Sequence, residues 1–523
     1  MKNITKIKLE NFKRFRSFSV PLYEDLNVIV GENEAGKSSI LSAVHYVLGG
    51  NRNKIESIGY EKLINTQAVK DFLASEKKYE DLPKLCVELY LNEQNNIDLN
   101  GKNNSDDVEC DGLKMECIPN DDLGKEIKEI LEQDEASFPF EYYVVRFSTF
   151  QGDGYSGYKK YIRHILVDNT LVSNEYSARE YVGDMYSTYV EGSEKNKHQH
   201  EYRKAKETIK DNILKELNDR IDDYSFALKH DSKANLMTDL TLIQDGIGIE
   251  SKGKGTQCFI KTEFALKKAD NGSSNGIDVA LIEEPENHLS HINMKKLINK
   301  IAASDDKQLI IATHSNLVSA RLDLRKTILL HGSSDTPALM QDLTEETAAF
   351  FMKAPDHRIL DFVLSKKTIL VEGDAEFILM EAFFKNVTGG ELENSDVHVL
   401  SVDGTSFKRY LEIAKLLNIK TAVIRDNDGD YQVNCIDNYV DYVGDEIKVF
   451  SDEDNNRSTF EICLYQDNNE FCDGLFAAGR RTLSVGDYML KNKTESAFNI
   501  LVNIGDEFIV PEYMKDAIGW IKD

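Results

Sequence analysis

Apolar and polar positions alternate along the opening "TKIKLENF", the period of a strand with one buried and one wet face. "LNVIVG" (26–31) follows as a second strand, and "KSSILSAVHYVL" then reads as a helix. "KLCVELYLNE" (84–93) and "FEYYVVRFSTF" (140–150) return to strand pattern. Residues 94–136 between them are polar and Asn/Asp-rich, and read as hairpins with loops. The character changes from about 175 to 235. There the chain is charged, nearly free of Gly and Pro, and sets Ile209, Ile213, Leu214, Leu217 and Ile221 on one helical face, either a buttress or a dimerisation surface. "IDVALIEEPE" (277–286), "KQLIIATHS" (307–315) and "RKTILLHG" (325–332) resume the strands. After a polar, mostly helical joint, "KKTILVEGDAEFILMEAFF" (366–384), "VHVLSVDG" and "KTAVIRDNDGD", with the helix-like "FKRYLEIAKLLN" between the last two, make a βαβ alternation. That alternation predicts a second, parallel-sheet domain.

The chain of 523 residues exceeds one core, so two or three domains are expected. Its longest apolar runs have strand length, short of a membrane span. The seven cysteines are scattered and form no CxxC pair, which points away from a disulfide framework or a zinc site and towards a reducing cytoplasm. A formal charge of −27 excludes a generally basic nucleic-acid-binding surface. "NFKRFR" (11–16), "KKYIRH" (159–164) and "GRR" (479–481) are the local basic exceptions.

"GENEAGKS" (31–38) matches G-x-x-x-x-G-K-[ST] and lies between a strand and a helix, the context that motif requires. Gly36 lets the loop curl so that its N–H groups face phosphate, Lys37 supplies a point charge, and Ser38 can ligate Mg²⁺; Asn33 and Ser39 flank these contacts. In "VALIEEPE" a buried strand ends in two carboxylates. Glu283 is suited to hold Mg²⁺ through water and Glu284 to orient the attacking water. "THS" ends the next strand, which aims His314 at the γ-phosphate.

A second acidic group follows far downstream. Three aspartates crowd "RDNDGD" (425–430), where their mutual repulsion calls for a cation. An EF-hand does not fit: counted from Asp426, its sixth and twelfth positions hold Tyr431 and Asp437. Joined to "LVEGDAE", the stretch makes better sense. Glu372, Glu376, Asp426 and Asp428 all follow buried strands, and in a parallel sheet they meet at carboxyl-terminal strand ends, suited to two Mg²⁺ or Mn²⁺ ions and to phosphodiester chemistry.

"ITKIKLENFKRF…LNVIVGENEAGKSSIL", "LIEEPENHLS" and "ATHS" resemble SMC- and RecF-like ABC ATPases. That resemblance implies ATP sandwiched in a homodimer, with Ser251, Gly253 and Gly255 of "ESKGKGTQ" (250–257) as contacts across the dimer and Gln151 as a metal- or water-contacting glutamine. "LVEG…E" followed by a strand and "DND" resembles the Toprim domain, and the pair of domains resembles the OLD (overcoming lysogenisation defect) nucleases. The resemblance implies an α/β chain: ATPase lobes at 1–174 and 236–345, a helical insert at 175–235, and a Rossmann-like Toprim domain at 346–523. It makes Glu372, Glu376, Asp426 and Asp428 metal ligands, adds Glu461 to them, and makes Lys493 (over its neighbour Lys491) the residue that stabilises the pentavalent phosphate; Ser401 and Asp403 line the same cleft. It further implies a DNA endonuclease of anti-phage defence, alone or beside a UvrD-like helicase or a retron reverse transcriptase with its DNA–RNA product. The alternatives are a repair or scaffold ATPase with a non-cleaving Toprim domain and, last, strand passage or priming.

Overall fold

The structure, a computed structural model, describes residues 1–133, 137–170, 181–183, 185–187, 190, 192–221, 224–230, 235–267, 276–315, 318, 321–332, 334–354, 358–402, 404, 406–477, 483–505 and 507–522. Two compact units emerge: Met1–His314 with Lys326–Pro337, and Ser315–Arg325 with Ala338–Asp523.

The described residues of the first unit form a two-stranded hairpin, Ile243–Gln244 with Ile247–Gly248, and two large sheets. In the antiparallel one, Ile4–Phe12 lies between Phe15–Pro21 and Leu85–Leu91, and Cys110–Pro119 joins Leu85–Leu91 to Tyr143–Thr149. Alternation in Ile4–Phe12 becomes alternating burial, with Ile4, Ile7, Leu9 and Phe12 inside. The parallel sheet runs Thr327–Leu330, Leu26–Gly31, Gln308–Thr313, Val279–Glu283, His164–Asp168. All its strands but His164–Asp168, which alternates, are buried along nearly their whole length because both faces are covered, one by the helix Lys37–Gly49 through Ile40, Val44 and Val47. His164–Asp168 is the strand that the basic run "KKYIRH" conceals in the sequence.

The expected helical insert is realised as Gly192–Asn212 and a short turn, Lys215–Asn218. Beyond it, residues 224–230 carry no regular structure. Asn218 turns the chain, its side-chain amide donating to the Phe226 carbonyl at 3.0 Å and its Oδ1 accepting from the Phe226 N–H at 2.7 Å. Of the expected apolar face, Ile213 and Leu217 are exposed and Ile209, Leu214 and Ile221 are half-buried.

The second unit is built on a wholly parallel sheet in the order Val397–Ser401, Lys367–Val371, Lys420–Ile424, Ile447–Phe450. The helices Asp374–Thr388 and Glu512–Lys522 pack on it, and Lys493–Asn503 packs on Asp374–Thr388, in a core that includes Leu379, Phe383, Ile500, Met514 and Ile518. All seven cysteines are free thiols. Among the described residues no helix is long and apolar enough to cross a membrane.

Candidate nucleotide and metal sites

At the end of Leu26–Gly31 the loop turns into the helix Lys37–Gly49 through Gly36, whose φ is 98°. A Cβ there would lie 2.4 Å from the Phe15 ring, so glycine is required on both conformational and steric grounds. Lys37 is buried, and its ammonium donates to the carbonyls of Gly31 (2.7 Å) and Glu32 (3.0 Å), which holds it across the loop. Burial lowers its pKa, with Glu284, Glu283 and Glu286 opposing. Burial raises the pKa of the Glu283 carboxyl and the nearby Ser38 side chain opposes it, which sets the two groups assigned to Mg²⁺ close to each other. Asn33 is exposed on the loop and Ser39 half-buried on the helix.

Glu284 is buried, in the left-handed region (φ 45°), with its N–H donating to the Ala312 carbonyl at 2.8 Å. His314 Nδ1 approaches its Oε2 to 2.6 Å. Oε2 is buried without a hydrogen-bond partner among the described residues. Burial, and then the neighbouring Glu286 carboxylate, push the Glu284 carboxyl up to about 8. Glu286 itself accepts from the Thr313 hydroxyl at 2.5 Å and lies 3.9 Å from His314 Nδ1. Glu284, Glu286 and His314 thus form one compact group.

Gln151 does not join this site. Its strand, Tyr143–Thr149, belongs to the antiparallel sheet, and the exposed side chain lines a cavity with Glu93, Asn100, Lys102, Glu109 and Asp111. Asp168 and Asn169 stand there instead, because His164–Asp168 is the strand that parallels Val279–Glu283. The Asn169 N–H donates to the Glu283 carbonyl at 3.3 Å and its side-chain amide to the Glu284 carbonyl at 3.4 Å; Asn169 Oδ1 is buried with no partner among the described residues. The signal in the sequence was "ILVDN", an apolar run closing on two polar residues.

Ser251 closes a short 3-10 turn, and Gly253 caps the helix Lys254–Leu266. A Cβ on Gly255 would lie 2.3 Å from the His288 carbonyl oxygen. That glycine therefore lets the helix start pack against the loop following Glu283 and Glu284.

In the second unit Val371 pairs with Ile424 and with Ser401, so the next residues, Glu372 and Arg425–Asp426, leave the same edge on adjacent strands. Within "RDNDGD", Arg425 and Asn427 turn inward as scaffold. The Asn427 amide donates to the carbonyls of Asp452 (2.8 Å) and Asp454 (3.1 Å), and its Oδ1 accepts from the Gly429 N–H at 2.8 Å. Asp426 is buried at the start of the helix Phe460–Asp467, accepting from the Phe460 N–H at 2.8 Å. Thr459 caps that helix and so fixes Glu461, 3% exposed, in its first turn. Asp428 is left-handed (φ 50°) and mostly exposed.

Lys493 begins the helix Lys493–Asn503 and sets its ammonium 3.1 Å from Glu461 Oε2 and 3.9 Å from Asp426 Oδ2. Lys491 ends the preceding helix, Val485–Lys491, with its side chain exposed. Burial, then the Asp426 charge, push Glu376 up to about 8; burial, then Glu372 and Glu461, push Asp426 up to about 7. Burial also raises Glu372. Burial pulls Lys493 down, but Glu461 and Asp426 outweigh it and the net shift is upward. Ser401 stands in the same row of strand ends. Asp403 and the basic "GRR" run lie outside the described residues.

These residues fit a divalent cation. Glu372 Oε2 is buried without a hydrogen bond among the described residues, and a buried carboxylate oxygen left so is costly unless a cation meets it; Glu461 Oε2 already faces a cation, the half-exposed Lys493 at 3.1 Å.

Two family models match: "Overcoming lysogenization defect protein-like, TOPRIM domain" over residues 363–428, and "AAA domain" over 6–244. The chain is similar to the Old nuclease of Escherichia phage P2, 26% identical over 192 residues, which are 34% of this chain and 33% of that protein. It is similar to the DNA double-strand break repair Rad50 ATPase of Methanococcus maripaludis, 27% identical over 27% of this chain and 13% of that one. The curated relatives are thus matched over a third of their length or less. Among solved structures, the C-terminal region of the OLD protein of Xanthomonas campestris pv. campestris matches 31% of this chain and 94% of that one, at 22% identity and a TM-score of 0.24.

Proposed function

We propose, for what is an OLD-family chain joining an AAA-type ATPase domain to a Toprim domain, a divalent-metal-dependent DNA endonuclease governed by ATP. One observation carries the reading: the Val371–Ile424 register sets Glu372 beside Asp426, with Glu376, Glu461 and Lys493 around them. Bound Mg²⁺ or Mn²⁺ would lower the pKa of a ligating water and stabilise the leaving oxygen. Glu372, Glu376, Asp426, Asp428 and Glu461 are the residues that would hold two such ions. Lys493, mobile enough to turn from Glu461, offsets charge that develops on the scissile phosphate.

In the ATPase domain Lys37 and Ser38 bind the nucleotide phosphates and Mg²⁺ with Glu283, while Glu284 orients water and His314 faces the γ-phosphate. Ser251, Gly253 and Gly255 complete the site across a homodimer. Defence against phage is the role we assign. The neighbouring genes identify any UvrD-like helicase or retron reverse-transcriptase partner.

The test is plasmid DNA incubated with the protein and Mg²⁺ or Mn²⁺. We expect nicking that is lost in Glu372→Ala plus Asp428→Ala; cleavage that survives this double change refutes the site. Comparing Lys37→Ala with wild type, with and without ATP, shows whether nucleotide governs cutting.

A further inference from the structure

The stretch "RDNDGD" carries its own cation. Arg425 is buried, and its guanidinium is held on three sides: Nε donates to the Asp426 carbonyl at 2.9 Å, Nη1 to the Tyr439 hydroxyl at 3.1 Å, and Nη2 to Asp428 Oδ2 at 3.1 Å. Tyr439 is 1% exposed and cannot follow a moving arginine. Arg425 also acts electrostatically on Glu372.

The carboxylates therefore fall into two groupings. Glu376, Asp426 and Glu461 are buried and face Lys493, whose side chain is 49% exposed and can swing into water when a dication takes its place. Asp428 is bonded to a guanidinium that cannot leave, and Glu372 stands between the two groupings, acting on Asp426 and feeling both Arg425 and Lys493. Withdrawing the guanidinium would strand the Tyr439 hydroxyl and the Asp426 carbonyl in the interior and drag a permanent charge through packed protein. Arg425 already occupies one oxygen of Asp428, and its charge repels any ion that approaches there.

We infer that Arg425 is a built-in counter-cation reserving the Asp428 side of the cluster, so that each chain binds one divalent ion tightly, among Glu376, Asp426 and Glu461 with Glu372, and a second only weakly. This rests on the metal-site reading above and adds the stoichiometry of that site. Arg425 is a positioning residue: it orients Asp428 and sets the charge of the pocket.

The test is Mn²⁺ binding to the metal-stripped, nucleotide-free full chain, read as free Mn²⁺ by electron paramagnetic resonance. The sites counted are those that Asp426→Asn or Asp428→Asn removes. Wild type should show one tight ion, lost in Asp426→Asn and nearly unchanged in Asp428→Asn, with the second ion about tenfold weaker or more. Arg425→Gln should tighten the second ion by about tenfold, whereas Arg425→Lys, which keeps the charge, should leave it weak. Tyr439→Phe, which frees one anchor of the guanidinium, should tighten it by a smaller factor and serves if Arg425→Gln does not fold, as judged by circular dichroism. Two wild-type ions of equal affinity, or a second ion indifferent to both the Arg425 and the Tyr439 change, overturn this inference and leave the metal site standing. A wild type without any Asp426-dependent ion refutes the metal site itself, and this inference with it.

Discussion

Lys493 and Glu461 meet at 3.1 Å across the start of two helices, a half-exposed ammonium against a carboxylate that is almost wholly buried. The pair makes the lysine removable and the glutamate dependent on a cation. Lys493→Met should therefore cut nicking by about a hundredfold, through loss of charge at the scissile phosphate. The metal-free protein should lose only about 1 kcal/mol, because water screens half of the lysine. Turnover and urea midpoints read the two effects separately; equal nicking by Lys493→Met and wild type would remove the lysine from the chemistry.

Stability of the metal-free protein should fall as pH rises. Burial lifts Glu376 to about 8 and Asp426 to about 7, whereas unfolded carboxyls titrate near pH ~4. Between those values the folded state binds more protons than the unfolded one, so the slope of unfolding free energy with pH is negative. Their contribution is full below pH ~4 and is lost as pH climbs through 7 to 8. Glu284, lifted to about 8, acts in the same sense. Divalent metal replaces the protons, so the Mn²⁺-induced rise in Tm should be larger at pH ~8.5 than at pH ~6. Scanning fluorimetry with EDTA or Mn²⁺ measures this, and Glu376→Gln plus Asp426→Asn should abolish the metal-dependent rise.

Glu284→Gln should retain ATP binding and lose hydrolysis by about two to three orders of magnitude, since the amide cannot take a proton from water. With ATP present this variant should accumulate as a dimer on size-exclusion chromatography. A variant that hydrolyses ATP at the wild-type rate would place the catalytic carboxylate elsewhere.

Asn169 and Gln151 are separable. Asn169→Ala removes the side-chain amide that braces the Glu284 carbonyl while keeping the backbone N–H on Glu283, and should lower ATP hydrolysis about tenfold or more by misplacing the Glu284 carboxylate. Gln151→Ala, in the other sheet, should stay within about twofold of wild type. Steady-state phosphate release on the two variants decides, and the reverse ranking would restore the glutamine.

Much of this was legible along the chain, because strand–loop–helix motifs are local. "GENEAGKS" needs only its own glycines and the helix that follows, and "VALIEE" only the apolar run that buries it. The polar residue beside Glu283 depends on strand order, a long-range property: Thr149 and Asp168 both end strands, and only pairing shows that the second is the neighbour of Val279–Glu283. The insert was misjudged beyond Asn218, where a side-chain amide outcompetes helical propensity.

The sequence by itself determined which residues carry charge, which runs bury, and hence two parallel sheets each ending in carboxylates. Only the tertiary structure decided which carboxylates meet, that Lys493 rather than Lys491 faces Glu461, and that Arg425 is locked against Asp428. The reason is physical: alternation and apolar runs are written in neighbours along the chain, whereas the field at a buried oxygen is the sum of charges brought close by register and packing.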